Sequence, residues 1–232
     1  MQPGEAVEFA TWRPVSGVIA AWAPIARLAT VPPMGDWDER YTASADGLWS
    51  GRVNGTLAVE LDGNVPGSAL DVGCGEGADA IWLAGNGWEV TGLDVSQVAL
   101  DRAAAGAREV GVNVVWICAD LAGAPLAPGG YDLVSVQYPA LKHSPGDKAV
   151  HVLLDAVAPG GRLLLVSHAP QNPEYARAHG FEVTDYVQPE DVRDRLDERW
   201  DIEVDETRPR ADPVPDGSPF THDAVLRARR RN

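Results

Sequence analysis

The stretch "ALDVGCGEGADA", residues 69–80, constrains this chain more than any other. A short apolar run ends in the acid Asp71, and Gly73, Gly75 and Gly77 then alternate with other residues before a helix-forming segment. Glycines so placed let the backbone turn sharply from strand to helix and present its N–H groups to a ligand. The stretch predicts the first strand–turn–helix unit of a nucleotide-binding sheet.

The chain from Asn54 onward extends that reading. Asn54 predicts a helix cap running through about Leu61, and residues 67–72 form a buried strand. A helix from about Gly77 to Ala84 closes at "GNG", "WEVTGLDV" is the second strand, and Ser96 caps an Ala-rich helix ending near Gly111. "VNVVWICA" and "YDLVSVQY" are the third and fourth strands, and a helix from Lys148 to Val157 stops at "APGG" before a fifth strand, "RLLLVSH". "QPEDVRDRLDER" reads as a further short helix, and "WDIEVDETR" with "HDAVLRAR" as an antiparallel pair. The fold class is α/β: a doubly wound, seven-stranded, mostly parallel sheet with an antiparallel last strand.

Residues 1–33 are Ala- and Pro-rich without a clear cap or period, and read as a weakly ordered N-terminal extension or a docking helix around Val15–Leu28. A charged aromatic run begins at Met34, a candidate alternative start. Residues 34–232 read as a single domain whose first part, 34–60, forms a lid.

The formal net charge of −15 opposes binding to nucleic-acid phosphates or anionic membranes. The longest apolar candidate, Val15–Val31, is interrupted by Pro24 and Arg27 and preceded by an acidic segment, so neither a membrane span nor a signal peptide is expected. With two cysteines, Cys74 and Cys118, there is no disulfide framework, which points to the cytoplasm. The five histidines show no short His/His or His/Cys spacing, and no metal site is expected.

A dinucleotide loop wants G-x-G-x-x-G, with a helix N-terminus facing a pyrophosphate. Here the spacing is G-x-G-x-G, Ala78 stands where the third dinucleotide glycine is expected, and Asp71 places negative charge beside the loop. S-adenosyl-L-methionine carries an ammonium and a sulfonium but no phosphate, so it suits this loop where NAD does not. Asp94, about twenty residues downstream, is placed to accept from both ribose hydroxyls, and Asp120 to accept from an adenine amine.

"LDVGCGEG", "GLDVS", "ADL", "YDLVSVQY" and "APGGRLLLV", in that order, resemble the motifs of class I S-adenosylmethionine-dependent methyltransferases. "DERY", "LWSG", "LAGNGWEVTGLD" and "THDAVLRARR" are further similar to small bacterial enzymes related to the tellurite-resistance and thiopurine S-methyltransferases. The resemblance implies a cofactor-binding set of Trp37, Tyr41, Trp49, Asp71, Gly73, Gly75, Gly77, Asp94, Val95, Ala119, Asp120, Leu121 and Gln137. In it the glycines pass the methionine part, Asp94 takes the ribose, and Asp120 with Leu121 borders the adenine. An aromatic segment including Trp37, Arg40, Tyr41 and Trp49 folds over the cofactor, or those tryptophans merely plug the open face of the sheet.

The implied activity is methyl transfer to a small-molecule acceptor: a soft S, Se or Te nucleophile, which needs no general base, or a phenol or amine, which needs one. Non-catalytic binding of S-adenosylmethionine and an NAD(P)-dependent oxidoreductase are the alternatives. If a base is used, "VQYPALKHSPGDK" supplies Tyr138 and His143, and His168 ends the fifth strand near the same edge. "QYPA" is not the Asn/Asp-Pro-Pro-aromatic motif of DNA amino-methylating enzymes.

Overall fold

Seven short segments rich in Val, Leu and Ile form the strands β1 (Ser68–Val72), β2 (Glu89–Asp94), β3 (Val114–Cys118), β4 (Tyr131–Gln137), β5 (Val157–Ala169), β6 (Trp200–Pro209) and β7 (His222–Arg230). They make one sheet in the order β3-β2-β1-β4-β5-β7-β6. All neighbours are parallel except β7, which runs antiparallel to both β5 and β6. The predicted doubly wound sheet and its antiparallel strand are therefore present. The structure, a computed structural model, describes residues 37–44, 47–169, 172–178, 180, 182–214 and 218–232. The extension 1–33, with its candidate helix, and Met34 lie outside the described residues.

Alternation along the strands sorts the core into two layers. On one face Leu70, Val72, Val134, Val136, Leu163 and Leu165 pack with Leu153 and Leu154 of α5 (Lys148–Ala156). On the other, Ala69, Leu133, Leu164 and Val166 pack with Leu57 of α2 (Gly55–Glu60) and Leu83 of α3 (Ala78–Gly85). Each fully buried leucine contributes roughly 1.5–3 kcal/mol relative to an exposed one. Strand order reverses between β1 and β4, and ligands of open α/β sheets sit outside the carboxyl ends of the strands at such a reversal.

The helix α4 (Gln97–Val110) shows how local chemistry places an element. Ser96 Oγ accepts from the Ala99 amide at 3.1 Å to open the helix, and Gly111, at φ 76°, closes it. Its buried stripe is small: Ala99, Ala103 and Ala107. That lets Trp116 of β3 enter a slot walled by Gly77, Gly92 and Ala103. A Cβ on Gly92 would lie 2.5 Å from the indole, and one on Gly77 would lie 2.7 Å from Ala103 Cβ and 2.9 Å from the indole. The third loop glycine is thus required by packing as well as by its φ of 83°.

Three boundaries differ from those the sequence predicts. "APGG" does not stop a helix before the fifth strand: it lies inside β5, where Val157 pairs with Tyr131 ahead of a register shift. Gly161 has three carbonyl oxygens at 3.0 Å from where a Cβ would stand, so glycine here admits a neighbouring backbone instead of ending pairing. The "QPEDVRDRLDER" helix is confined to α7 (Pro189–Arg193), because the Asp191 carboxylate caps the Gln188 amide at its start and the chain then turns back toward β6. The aromatic segment carries an unanticipated helix, α1 (Trp37–Ala43), and another short helix, α6 (Pro173–Ala178), follows β5.

Filling the Trp116 slot should be costly. Gly92→Ala overpacks it and is expected to lower stability by roughly 1–3 kcal/mol, read as a reduced midpoint in urea unfolding followed by circular dichroism.

Candidate functional site

The site begins where β1 runs out. The Gly73 and Cys74 amides both donate to the Leu93 carbonyl, at 2.8 and 3.1 Å, and Gly73, Gly75 and Gly77 take φ of 70°, 53° and 83°. Asp94, at the end of β2, braces the turn: Oδ2 accepts from the Gly75 amide at 2.8 Å and Oδ1 from the Ser96 amide at 2.9 Å. One carboxylate therefore fixes both the glycine loop and the start of α4.

Two buried oxygens at the strand reversal have no hydrogen-bond partner among the described residues: Asp71 Oδ2 and Gln137 Oε1. Gln137 is held from its other end, where Nε2 donates to Ser135 Oγ at 3.1 Å. Asp71 is paired in register with Ser135 across β1 and β4, so Asp71 and Gln137 share one face of the sheet at the carboxyl ends of adjacent strands. Burial, then the neighbouring Asp79 and Asp94, raises the Asp71 pKa well above the ordinary carboxylate value. Asp79 is also raised by burial, although Asn54 donates to it through its backbone N–H (2.8 Å) and Nδ2 (2.6 Å). Three carboxyls gather in a low-dielectric place, which favours protons or an arriving cation.

The aromatic segment closes over this turn. The Tyr41 hydroxyl lies 2.8 Å and Trp49 Nε1 3.4 Å from where a Gly75 Cβ would stand, and Trp49 Nε1 donates to Tyr41 Oη at 2.9 Å. The Trp37 and Tyr41 rings are 6.1 Å apart, with the Arg40 guanidinium 4.3 Å over Trp37. A clasp holds the segment. Glu76 Oε2 accepts from the Leu48 and Trp49 amides at 3.0 and 3.2 Å, and Oε1 accepts from Arg102, which also donates to the Tyr41 carbonyl at 2.8 Å. Asp38 Oδ1 accepts from Ser96 Oγ and the Val98 amide, pinning α1 onto the start of α4, and these bonds lower its pKa.

On the far side, Val95 leaves an apolar side chain 50% exposed beside Asp94. The Ala119 amide donates to the Asp94 carbonyl at 3.0 Å, and Asp120 Oδ1 accepts from the Ala122 amide at 2.9 Å, with Leu121 buried behind. These residues line the crevice between the ends of β2 and β3.

At the other end of the same edge the chain stacks rings. Tyr138, in the left-handed region at φ 47°, lies 4.4 Å from His168 between ring centroids, and His168 lies 4.3 Å from Phe220. Tyr138 Oη donates to Asp223 Oδ1 at 2.9 Å, Thr56 Oγ1 donates to Asp223 Oδ2 at 2.8 Å, and Arg210 sits 5.1 Å over the Tyr138 ring. Burial, with the Arg210 charge, holds His168 down to about 4, so its ring is neutral near pH 7. Burial and Asp223 push the Tyr138 pKa upward. His143 stands apart from these rings: its Nδ1 is 3.5 Å from Asp147 and its Nε2 3.4 Å from Asp191, in the loop packed on α7.

The turn, its acids and the aromatic segment are thus brought together, along with Gln137 and Tyr138 at the end of β4. Sequence reasoning missed Asp38, Glu76, Arg102, Thr56, Arg210 and Asp223. Glu76 sits inside the glycine motif itself and was the one legible signal; the others act across 26 to 167 residues of chain. No group of three or more potential metal ligands occurs among the described residues, and none of their helices is long and apolar enough to cross a membrane.

Comparison with known proteins agrees with this geometry. Residues 69–161 match a family model described as a methyltransferase domain. The chain is 35% identical over 111 residues to a ubiquinone biosynthesis O-methyltransferase of Pectobacterium carotovorum, covering 47% of this chain and 46% of the relative. It is 31% identical over 128 residues to a demethylmenaquinone methyltransferase of Thermus thermophilus, covering 54% and 56%. The chain spans about half or less of the length of the curated relatives it matches. Among solved structures, magnesium protoporphyrin IX methyltransferase from Synechocystis PCC 6803 with bound SAH superimposes with a TM-score of 0.56 at 25% identity, covering 75% of this chain and 78% of that one.

The Glu76 clasp is directly testable. Glu76→Ala should speed hydrogen exchange at the Leu48 and Trp49 amides by about 10- to 100-fold, the loss of charge-assisted bonds worth roughly 1.5–3 kcal/mol, while core amides of β1 and β4 keep their protection.

Proposed function

We propose that this chain is a class I S-adenosylmethionine-dependent methyltransferase that transfers the methyl group of S-adenosyl-L-methionine to a small-molecule acceptor. One observation carries the proposal: the two unpartnered buried oxygens of Asp71 and Gln137 at the strand reversal. Both are acceptors and one is acidic, so they call for a donor-rich cation. A pyrophosphate offers only further acceptors and further negative charge, which disfavours the oxidoreductase reading.

The residues present fit the whole cofactor. Asp71 and Gln137 would take the ammonium of its methionine part, with the turn at Gly73, Gly75 and Gly77 leaving room beside it. Asp94 would exchange its brace on Gly75 for, or share it with, the ribose hydroxyls, while Val95, Ala119, Asp120 and Leu121 would flank the adenine. The lid rings of Trp37, Tyr41 and Trp49 would close the site and exclude water. Trp49 already donates to the Tyr41 oxygen, so the Tyr41 proton remains to be given within the turn. When bound, S-adenosylmethionine supplies a methyl group on a sulfonium, and aromatic faces near that charge are worth roughly 0.5–2 kcal/mol.

A base is poorly provided for at this edge. Tyr138 gives its proton to Asp223, His168 is neutral but buried against two rings, and both nitrogens of His143 face carboxylates. This favours an acceptor that arrives ionised, such as a soft sulfur, selenium or tellurium nucleophile, over an alcohol needing deprotonation. Gathering the reactants in a dry, ordered pocket is then the main contribution, an effect that reaches roughly 7–11 kcal/mol.

Calorimetry decides the matter: S-adenosylmethionine and S-adenosylhomocysteine should bind, and NADH should not. Tight NADH binding with no response to the other two would overturn the proposal, as would full affinity in a folded Asp94→Ala variant. A panel of thiols, selenite, tellurite, phenols and amines with labelled cofactor separates an enzyme from a silent binder. The raised Asp71 pKa adds a sign. Wherever the free protein holds a proton on that carboxyl, a bound ammonium displaces it, so affinity for either ligand should rise with pH through that raised value. The rise is read below about pH 7.5, where the ligand's amino group stays charged. Asp71→Asn should weaken both ligands and flatten this dependence, measured as proton release in buffers of different ionisation enthalpy.

A further inference from the structure

Arg210 differs from the other buried or half-buried arginines of this chain. Arg102, Arg195, Arg208 and Arg227 each donate to a carboxylate or a carbonyl. The Arg210 side chain is only 17% exposed, its Nε is buried without a hydrogen-bond partner, and its nearest carboxylate oxygen, Asp223 Oδ1, stands 3.6 Å away. That distance makes an ion pair but not a hydrogen bond. The guanidinium is held instead by its face, over the Tyr138 ring. Among the described residues none accepts a hydrogen bond from its terminal amino groups, and these are not among the buried unpartnered atoms, so they remain open to water or to a ligand.

Asp223 balances its charge without taking its hydrogen bonds. Asp223 already receives Tyr138 Oη and Thr56 Oγ1, and Asp212 receives the Gly55 amide at 2.8 Å. The approach to Asp223 is through Nε, which leaves the two terminal amino groups as a fork. The fork belongs to the edge where an acceptor must sit. Tyr138 follows Gln137 directly, and His168 and Asp223, paired in register, stand at the carboxyl end of β5 and the amino end of antiparallel β7. The rings of Tyr138, His168 and Phe220 supply apolar walls there, and the field of Arg210 reaches both Tyr138 and His168.

We propose that Arg210 is the anion-recognition residue of the acceptor site, and that the acceptor is a small organic acid whose carboxylate pairs with this fork while a separate soft nucleophile, already ionised in solution, bonds to the methyl carbon as the sulfonium–methyl bond breaks and neutral S-adenosylhomocysteine leaves. The proposal rests on the methyltransferase reading and adds the charge of the substrate to it. A carboxylate matches the guanidinium plane with two parallel bonds, a geometry lysine does not reproduce. Asp223 is then a positioning residue, holding Tyr138 under the cation.

The test uses the full chain saturated with S-adenosylhomocysteine, titrated calorimetrically with 3-mercaptopropionate and with its uncharged isostere 3-mercaptopropionamide. The acid should bind at least tenfold more tightly than the amide. Arg210→Gln should abolish that preference while leaving the cofactor's affinity unchanged, and Arg210→Lys, which keeps the charge but not the fork, should retain only part of it. Equal binding of acid and amide, binding of neither, or a preference that survives in Arg210→Gln would overturn the proposal. Failure of S-adenosylhomocysteine to bind the unaltered chain would instead overturn the cofactor reading, so the two failures are distinct.

Discussion

The bond from the Gly75 amide to Asp94 is the interaction on which the site depends. Three successive glycines with positive φ define a turn that few chains adopt unaided, and each loses more conformational freedom on folding than any other residue type. A charge-assisted bond from the end of the neighbouring strand offsets part of that loss. The same carboxylate takes the Ser96 amide, so one side chain sets the turn after β1 and the start of α4 together. Trp116 completes the arrangement from behind by filling the slot that Gly77, Gly92 and Ala103 leave open.

From that fixed turn the other parts inherit their places. The aromatic segment is fastened to elements the turn positions: its Leu48 and Trp49 amides to Glu76 inside the loop, its Tyr41 carbonyl to Arg102 on α4, and its own Asp38 to Ser96 and Val98 at the α4 start. These polar fastenings draw on two carboxylates and one guanidinium, with the Tyr41 ring buried beneath them. The rings of Tyr41 and Trp49 stand against the Gly75 backbone, where binding of a ligand to the turn would have to move or enlist them.

Much of this was legible in the chain. The strands from β1 to β4 and the helices α3 and α4 announce themselves by apolar runs, the Ser96 cap and Gly111, since those choices are local. The acids Asp71, Asp94 and Asp120 could be placed because each ends or follows a strand. Legibility failed where the deciding partner was distant. "APGG" has the composition of a stop, yet it pairs within β5 because Tyr131 and Asp132 present their carbonyls beside Gly161. Arg210 and Asp223, near the C-terminus, meet Tyr138 only because β7 enters the sheet antiparallel beside β5. No spacing rule encodes such a meeting.

The two halves of the edge are electrically opposite, and this bears on the chemistry. Around the glycine turn, Asp71, Asp79 and Asp94 gather acidity in a buried place, which suits a cation. Beyond β4, an arginine with uncommitted donors lies among aromatic rings, which suits an anion. An acceptor held by its carboxylate in the second half, and reacting through a separate ionised nucleophile, would cancel that nucleophile's charge against the sulfonium as the methyl passes, and a low-dielectric enclosure favours a transition state less charged than its reactants. Neither half needs a proton to move for this to happen. Gln137 and Tyr138, consecutive at the end of β4, form the boundary between the two halves.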